Sequence, residues 1–182
     1  RSLGAELMEP TNIYVREALD MLNGTDGLRA LFHITGDGLL NLLRAAEPVG
    51  FLLDALPVPQ PIFRAIAGRG DVTAADMYAV YNMGVGMCAI VVEAGVDSII
   101  AAAAREGKEA WRIGTVTSDA GVVRIVENPL TGVDLVSSDR PPPAPPCSCD
   151  HAPSAVTVSQ KGTFVYSRLC AFASFSVTVR GV

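Results

Sequence analysis

Residues 32 to 44 read FHITGDGLLNLLR. An apolar run ends in His33, Thr35 follows, Gly36 and Gly38 flank Asp37, and a leucine-rich helical pattern takes over. A strand that passes through a glycine-rich turn into a helix presents backbone N–H groups at the helix start. Those groups and the helix dipole favour an anion such as phosphate. The spacing is not a P-loop, since no Gly-Lys-Ser/Thr follows, nor a dinucleotide fingerprint, since a third glycine is absent. Asp37 would repel phosphate unless its carboxylate points away or meets a metal. An ordinary tight strand-to-helix turn, with His33 held by a hydrogen bond, accounts for the same residues, and spacing alone does not separate the two.

Three other stretches carry polar chemistry. NMGVGM, residues 82 to 87, is a second glycine-rich turn, leading from helix into strand. It suits a helix C-cap followed by a close backbone crossing. EPTNIYVREA places Thr11, Asn12, Tyr14 and Arg16 at a helix start, where capping and a solvated face also explain them. CSCDH holds Cys147, Cys149 and His151, but a tetrahedral zinc site needs a fourth ligand and usually a longer Cys–Cys spacing. No metal site is assigned. No Gly-x-Ser-x-Gly elbow occurs, and the chain has two histidines, one of them in a proline-rich stretch, which argues against a Ser-His-Asp triad.

The elements that must hold these residues come from 182 residues, 49% hydrophobic and 18% charged, enough for one domain with a real core. Fourteen basic against nineteen acidic side chains leave a net charge of −5, so no basic footprint exists for nucleic acid or an anionic membrane. MCAIVV and SIIAAAA are core-sized runs, far short of the roughly 18 apolar residues of a membrane span. RSLGAELMEP lacks an initiating Met, a basic n-region and an apolar h-region, so it reads as the interior of something longer rather than a signal peptide. Of four cysteines, Cys88 lies in an apolar run and is expected to be a buried thiol. Nothing requires an oxidising compartment, and a cytoplasmic setting is the default.

Residues 1–128 alternate helical and strand patterns between short glycine or proline breaks. Val15, Ala18, Leu19 and Leu22 mark one face of a helix expected to run from near Thr11 and Asn12 to Gly24. LRALFHI reads as a buried strand, LLNLLRAA as a short helix, and VGFLLD as a strand that alternates Val49, Phe51 and Leu53. IFRAIAG is a helix after a proline-rich loop, and Thr73 with Asp76 forms a capping-box variant for DMYAVY. MCAIVV is a strand and DSIIAAAARE a helix. AWRIGTVT and GVVRIVE are two strands joined by SDA, expected to be a hairpin. The tally of about five strands and five helices predicts an α/β (α+β) fold, a layered mixed sheet with flanking helices. Residues 129–154 form a Pro-rich linker that favours polyproline II, and 155–182 a tail with one or two strands or loose order.

Taken together, LMEPTNIYV, HITGDGLLNLLR, PQPIFRAIAGRGDVTAADMYAVYNMGVGM and KEAWRIGTV occur in an order and spacing that is more specific than any one of them. The set closely resembles the C-terminal half of the aminoimidazole ribonucleotide synthetase family, the phosphoribosylformylglycinamidine cyclo-ligases. The resemblance runs from about Leu7 to Val126; the proline-rich linker and the tail match nothing in that family. The family's commonest loop reads His-x-Thr-Gly-Gly-Gly followed by Glu-Asn-x-Pro-Arg. Here Asp37 replaces the middle glycine, Leu40 the glutamate and Leu43 the proline.

The resemblance implies an ATP-dependent ring closure of formylglycinamidine ribonucleotide, with ATP and Mg²⁺ bound mainly by an N-terminal half-domain that also forms the homodimer. This chain would then be a substrate-binding half-site, inactive alone. His33 would position the substrate or move a proton. Thr35, Gly36, Asp37 and Gly38 would hold the substrate or a phosphate, and Thr11, Asn12, Asn82 and Gly84 would line the same cleft. Two other readings compete. One is another member of the same ATP-using superfamily, such as a selenophosphate synthetase-like, hydrogenase-maturation-like or thiamine-phosphate kinase-like enzyme. The other is a non-catalytic half-domain binding module.

Overall fold

The computed structural model describes residues 2–128, 131–136 and 174–180. Two short pieces set the N-terminal layer: helix α1 (Leu3–Leu7), with Ser2 as its N-cap, and helix α2 (Val15–Gly24). Strand β1 (Leu28–His33) follows, then a 3₁₀ helix over Gly38–Arg44 and strand β2 (Gly50–Leu53). Helices α3 (Pro61–Gly70) and α4 (Ala74–Val80) lead to strand β3 (Met87–Val92). A single 3₁₀ turn, Glu93–Gly95, opens helix α5 (Val96–Arg105). Strands β4 (Glu109–Thr117), β5 (Val122–Asn128), β6 (Thr131–Val136) and β7 (Ser174–Arg180) complete one mixed sheet in the order β1-β3-β7-β4-β2-β5-β6. The fold is α+β, a layered sheet with flanking helices.

Several elements form for the reasons their residues suggest. Thr73 caps α4, accepting from the Asp76 N–H at 3.1 Å while its hydroxyl donates to the Asp76 carboxylate at 2.7 Å. Pro61 occupies the first turn of α3, where no N–H is needed. Phe51 and Leu53 are buried on β2, and β3 is buried nearly throughout, with Cys88 a buried thiol.

Several sequence expectations are corrected by packing. β4 and β5 do not form a hairpin, because β2 lies between them, antiparallel to β4 and parallel to β5. The four residues of β2 carry two large core side chains, and burying them on both flanks outweighs closing a local turn. The stretch after Gly38 winds as a 3₁₀ helix rather than an α-helix. β1, which reads as buried, lies at the sheet edge and is half-exposed along Leu28, Ala30, Leu31 and Phe32.

Finally, α2 starts at Val15 and turns a different face inward. Tyr14, Glu17 and Met21 are buried, whereas Val15, Leu19 and Leu22 stand out in solvent at 61%, 54% and 47% exposure. Both stripes repeat at helical spacing, so periodicity does not choose between them. Packing of Tyr14 and Met21 with Ile99 and Ala102 of α5, and the Arg105–Asp20 ion pair at 2.8 Å, set the rotation.

The stretch 129–154, read as a Pro-rich linker, begins inside the sheet: β6 pairs antiparallel with β5, with Val122 facing Val136 and Asn128 facing Thr131. Of the tail, the described strand is β7. Its backbone pairs antiparallel with β3 on one side and β4 on the other, with Met87 facing Val179 and Glu109 facing Arg180.

The observed rotation of α2 has a measurable consequence. Met21→Ala should destabilise the chain by about 2–5 kcal/mol, while Leu19→Ala should shift stability by less than about 0.5 kcal/mol. Urea unfolding followed by circular dichroism measures both, and equal losses would restore the face read from the sequence.

Candidate functional site

The strand registers gather the singled-out residues at one end of the sheet. His33 ends β1 opposite Met87, which begins β3. Glu109 begins β4 beside the end of β7, and the antiparallel β2–β4 ladder points the C-terminal end of β2 the same way. The segments 34–37, 54–60, 81–86 and 106–108 therefore open onto one rim. The N-terminal segment joins them. The Tyr14 ring meets His33 edge-on at 5.8 Å between centroids, and Lys108 Nζ donates to Asn12 Oδ1 at 3.3 Å.

The loop after β1 is held by a residue that the sequence reading passed over. Asn41 is 2% exposed, and its Nδ2 group shares its two hydrogens among the carbonyls of Thr35, Gly36 and Gly38. In a trans peptide the N–H points opposite the carbonyl. Drawing the Thr35 and Gly36 carbonyls inward thus turns the N–H groups of Gly36 and Asp37 outward, on a stretch that is exposed. Gly36, Asp37 and Gly38 all have positive φ, at 51°, 49° and 47°. Aspartate tolerates that conformation better than most residues. The signal available in the sequence was a buried-length apolar run, LLNLL, interrupted by one amide.

Asp37 does not face the space in front of these amides unpaired. Its carboxylate accepts from Arg44 at 2.8 Å, so a neighbouring guanidinium offsets its charge. The anticipated helix-dipole contribution is not built here, because the following element is a short 3₁₀ helix; the loop's own amides supply the donors.

Gly38 is buried for a steric reason. A Cβ there would lie 2.1 Å from the Tyr78 carbonyl and 2.7 Å from that of Tyr81, at the end of α4. This contact sets the 36–38 loop against the 82–86 turn. Gly86 is crossed in the same way by Tyr14, whose hydroxyl would stand 1.8 Å from an added Cβ. The Ile34 N–H donates to the Gly86 carbonyl at 2.9 Å, tying the two glycine turns together.

Within the second turn, Asn82 Oδ1 accepts from the Gly84 N–H at 3.1 Å, and Gly84 is walled by Gln60 and Pro57. Asn82 and Gly84 thus shape the turn behind the loop. His33, Thr35, Gly36 and Asp37 are exposed, Thr11 is exposed and Asn12 half-buried. An open cavity of about 440 Å³ lies on the α2–α5 side of this rim, lined by Ile13, Val15, Arg16, Glu17, Glu106 and Lys108. None of residues 33–38 lines it; His33, Thr35, Gly36 and Asp37 lie on the open surface beside it.

Asn41→Ala, which strips three carbonyls of their donor, should cost about 1–3 kcal/mol. Asp37→Gly should stay within about 0.5 kcal/mol of the parent, since relief of left-handed strain offsets the lost exposed ion pair. Urea midpoints for the two variants check this, and an Asn41→Ala protein as stable as the parent would remove the clamp.

The family model described as "AIR synthase related protein, C-terminal domain" matches residues 1–127. Relatives named phosphoribosylformylglycinamidine cyclo-ligase match as well. The protein from Methanothermobacter thermautotrophicus is 42% identical over 124 residues, covering 68% of this chain and 36% of the relative. That from Methanopyrus kandleri is 37% identical over 123 residues, covering 68% and 35%. That from Methanocaldococcus jannaschii is 36% identical over 123 residues, covering 67% and 35%. The chain thus spans about a third of the length of these relatives. With residues 1–127, more than half its length, matched, this chain belongs to the family of AIR synthase related proteins, whose C-terminal domain it carries.

Proposed function

We propose that this chain is the C-terminal half of an ATP-dependent cyclo-ligase that closes the imidazole ring of formylglycinamidine ribonucleotide in purine biosynthesis, giving aminoimidazole ribonucleotide, ADP and phosphate. The observation that carries the reading is the loop from His33 to Gly38, held open by Asn41 with outward amides, in a domain 36–42% identical to proteins named cyclo-ligases.

In this reaction ATP phosphorylates the formamide oxygen and makes it a leaving group. The ribose-bearing amidine nitrogen attacks the formyl carbon, and phosphate departs as the ring forms. The chemistry calls for positioning of the nucleophile and for stabilisation of charge on phosphoryl oxygens. Here the N–H groups of Gly36 and Asp37 and the Thr35 hydroxyl would hold a phosphate or the ribonucleotide. Gly38 provides close packing, and Arg44 keeps the Asp37 carboxylate from repelling the ligand. His33, steadied edge-on by Tyr14, would orient the substrate or move a proton. Asn12 and Thr11 would border the same rim, with Asn82 and Gly84 supporting it from behind.

Among the described residues no group of three or more His, Cys, Asp or Glu side chains converges. No step is derived through Mg²⁺ on this chain. ATP and Mg²⁺ belong, on this reading, to a preceding half-domain, which would also close the open cradle and form the homodimer.

The test is an ATP hydrolysis assay dependent on formylglycinamidine ribonucleotide, using this chain joined to its ATP-binding half. His33→Ala should lower turnover by roughly 10²–10⁴-fold, and Thr35→Ala should lower it at least tenfold by about the value of one charge-assisted hydrogen bond. Both variants should keep the parent's thermal midpoint. Undiminished turnover in the two variants would strip these residues of their roles.

A further inference from the structure

Among the described residues, Glu17 is the only charged side chain that is buried, at 3% exposure. It lies in the first turn of α2, on the inward stripe with Tyr14 and Met21. A carboxylate taken out of water ordinarily answers to a cation or to several N–H donors. Asn41, the other buried polar side chain, is satisfied by carbonyls of its own loop. Glu17 has no hydrogen-bond or ion-pair partner among the described residues. The two cations that share its surroundings are engaged elsewhere. Arg16 Nη1 lies 4.0 Å from Glu106 Oε2, and Lys108 Nζ donates to Asn12 Oδ1 at 3.3 Å.

The side chain is not sealed in. Glu17 lines the open cavity of about 440 Å³ together with Ile13, Val15, Arg16, Glu106 and Lys108. That volume falls within the range of small-molecule sites, which combine apolar walls with a few placed polar groups. Ile13 and Val15 supply apolar surface, at 78% and 61% exposure. An ionised carboxylate only accepts hydrogen bonds, so whatever completes Glu17 has to donate. An amidinium offers two parallel N–H groups that match a carboxylate, and an ammonium offers a more compact donor. The side chain of Arg16 is 86% exposed, where water and salt screen its charge, whereas the charge of Glu17 is held where screening is weak. The deepest charge in the cavity is therefore negative.

We propose that this cavity is a binding site for a small organic cation, an amidinium or ammonium group on a short apolar stem. Glu17 anchors the cationic head, and Ile13 and Val15 receive the stem. The site shares no residue with the loop from His33 to Gly38, and the proposal goes beyond the ring-closure reading without depending on it.

Benzamidine tests this, with benzamide and benzoate as its neutral and anionic counterparts. Titrated into the whole chain and followed by heteronuclear NMR, benzamidine should bind with a Kd of about 1 mM or tighter. The shifted amides should centre on residues 13–17 and 105–108. Benzamide and benzoate should bind at least about tenfold more weakly, and Glu17→Gln, which keeps the shape and removes the charge, should weaken benzamidine by a similar factor. Lys108→Met removes a nearby positive charge and should leave benzamidine binding equal or tighter. Absence of binding, equal binding of the three compounds, or shifts centred on other residues would each overturn the proposal. So would a Glu17→Gln chain that binds like the parent, or a Lys108→Met chain that binds more weakly, since the latter makes Lys108 part of the contact. The comparison of compounds and the shift map use the parent chain alone, so they decide the matter even if Glu17→Gln does not fold.

Discussion

His33 faces Met87 across the β1–β3 ladder, and the working end of the molecule is built outward from that register. It sets the glycine turn after β1 level with the glycine turn before β3, so that the Ile34 N–H meets the Gly86 carbonyl and Tyr14 crosses Gly86 to reach the His33 ring. A slip of one residue would exchange the faces of β1, carrying Leu28 and Leu31 towards the main core and Ala30 and Phe32 towards the cluster under α2 and α5, and would part the Ile34 N–H from the Gly86 carbonyl. The register thus places the polar residues.

The loop itself depends on a second, smaller constraint. Asn41 sits among Leu39, Leu42 and Leu43, all buried, and offers one amide group to three carbonyls. Buried polar groups persist in such surroundings when they are hydrogen-bonded. The cost of burying the amide is offset by the carbonyls it satisfies, and the by-product is a set of outward N–H groups. Packing of Gly38 against the carbonyls of Tyr78 and Tyr81 keeps the whole loop pressed onto α4. The inward carbonyls of Thr35 and Gly36 and the outward N–H groups of Gly36 and Asp37 are therefore two sides of the same two peptides.

Much of this was legible along the chain. The caps, the proline at the start of α3, the buried β3 and the two glycine turns are local features, each decided within a few residues. Asp37 looked like an obstacle to anion binding because its partner, Arg44, lies seven residues away across a helical turn whose pitch the sequence did not reveal. Asn41 drew no attention because an amide within a leucine run has no local signature; its role appears only when three carbonyls converge on it. The α2 face was misread at Val15, Leu19 and Leu22, though not at Ala18, because they repeat at the same spacing as Tyr14, Glu17 and Met21, and only α5 distinguishes them.

By itself the amino-acid sequence determined most of the strands and helices up to β5, the order of the motifs, the family they resemble and the placing of glycine, aspartate and histidine in one turn. These follow from short-range sterics, hydrogen-bond competition and periodicity. Tertiary structure alone decided that β2 separates β4 from β5, that β1 ends the sheet and that α2 shows leucines to solvent. Those outcomes depend on which buried surfaces compete for the same neighbours, a sum over contacts distant in the chain. For the same reason, FHITGDGLLNLLR states in sequence which groups are present, and only the fold shows which way their amides face.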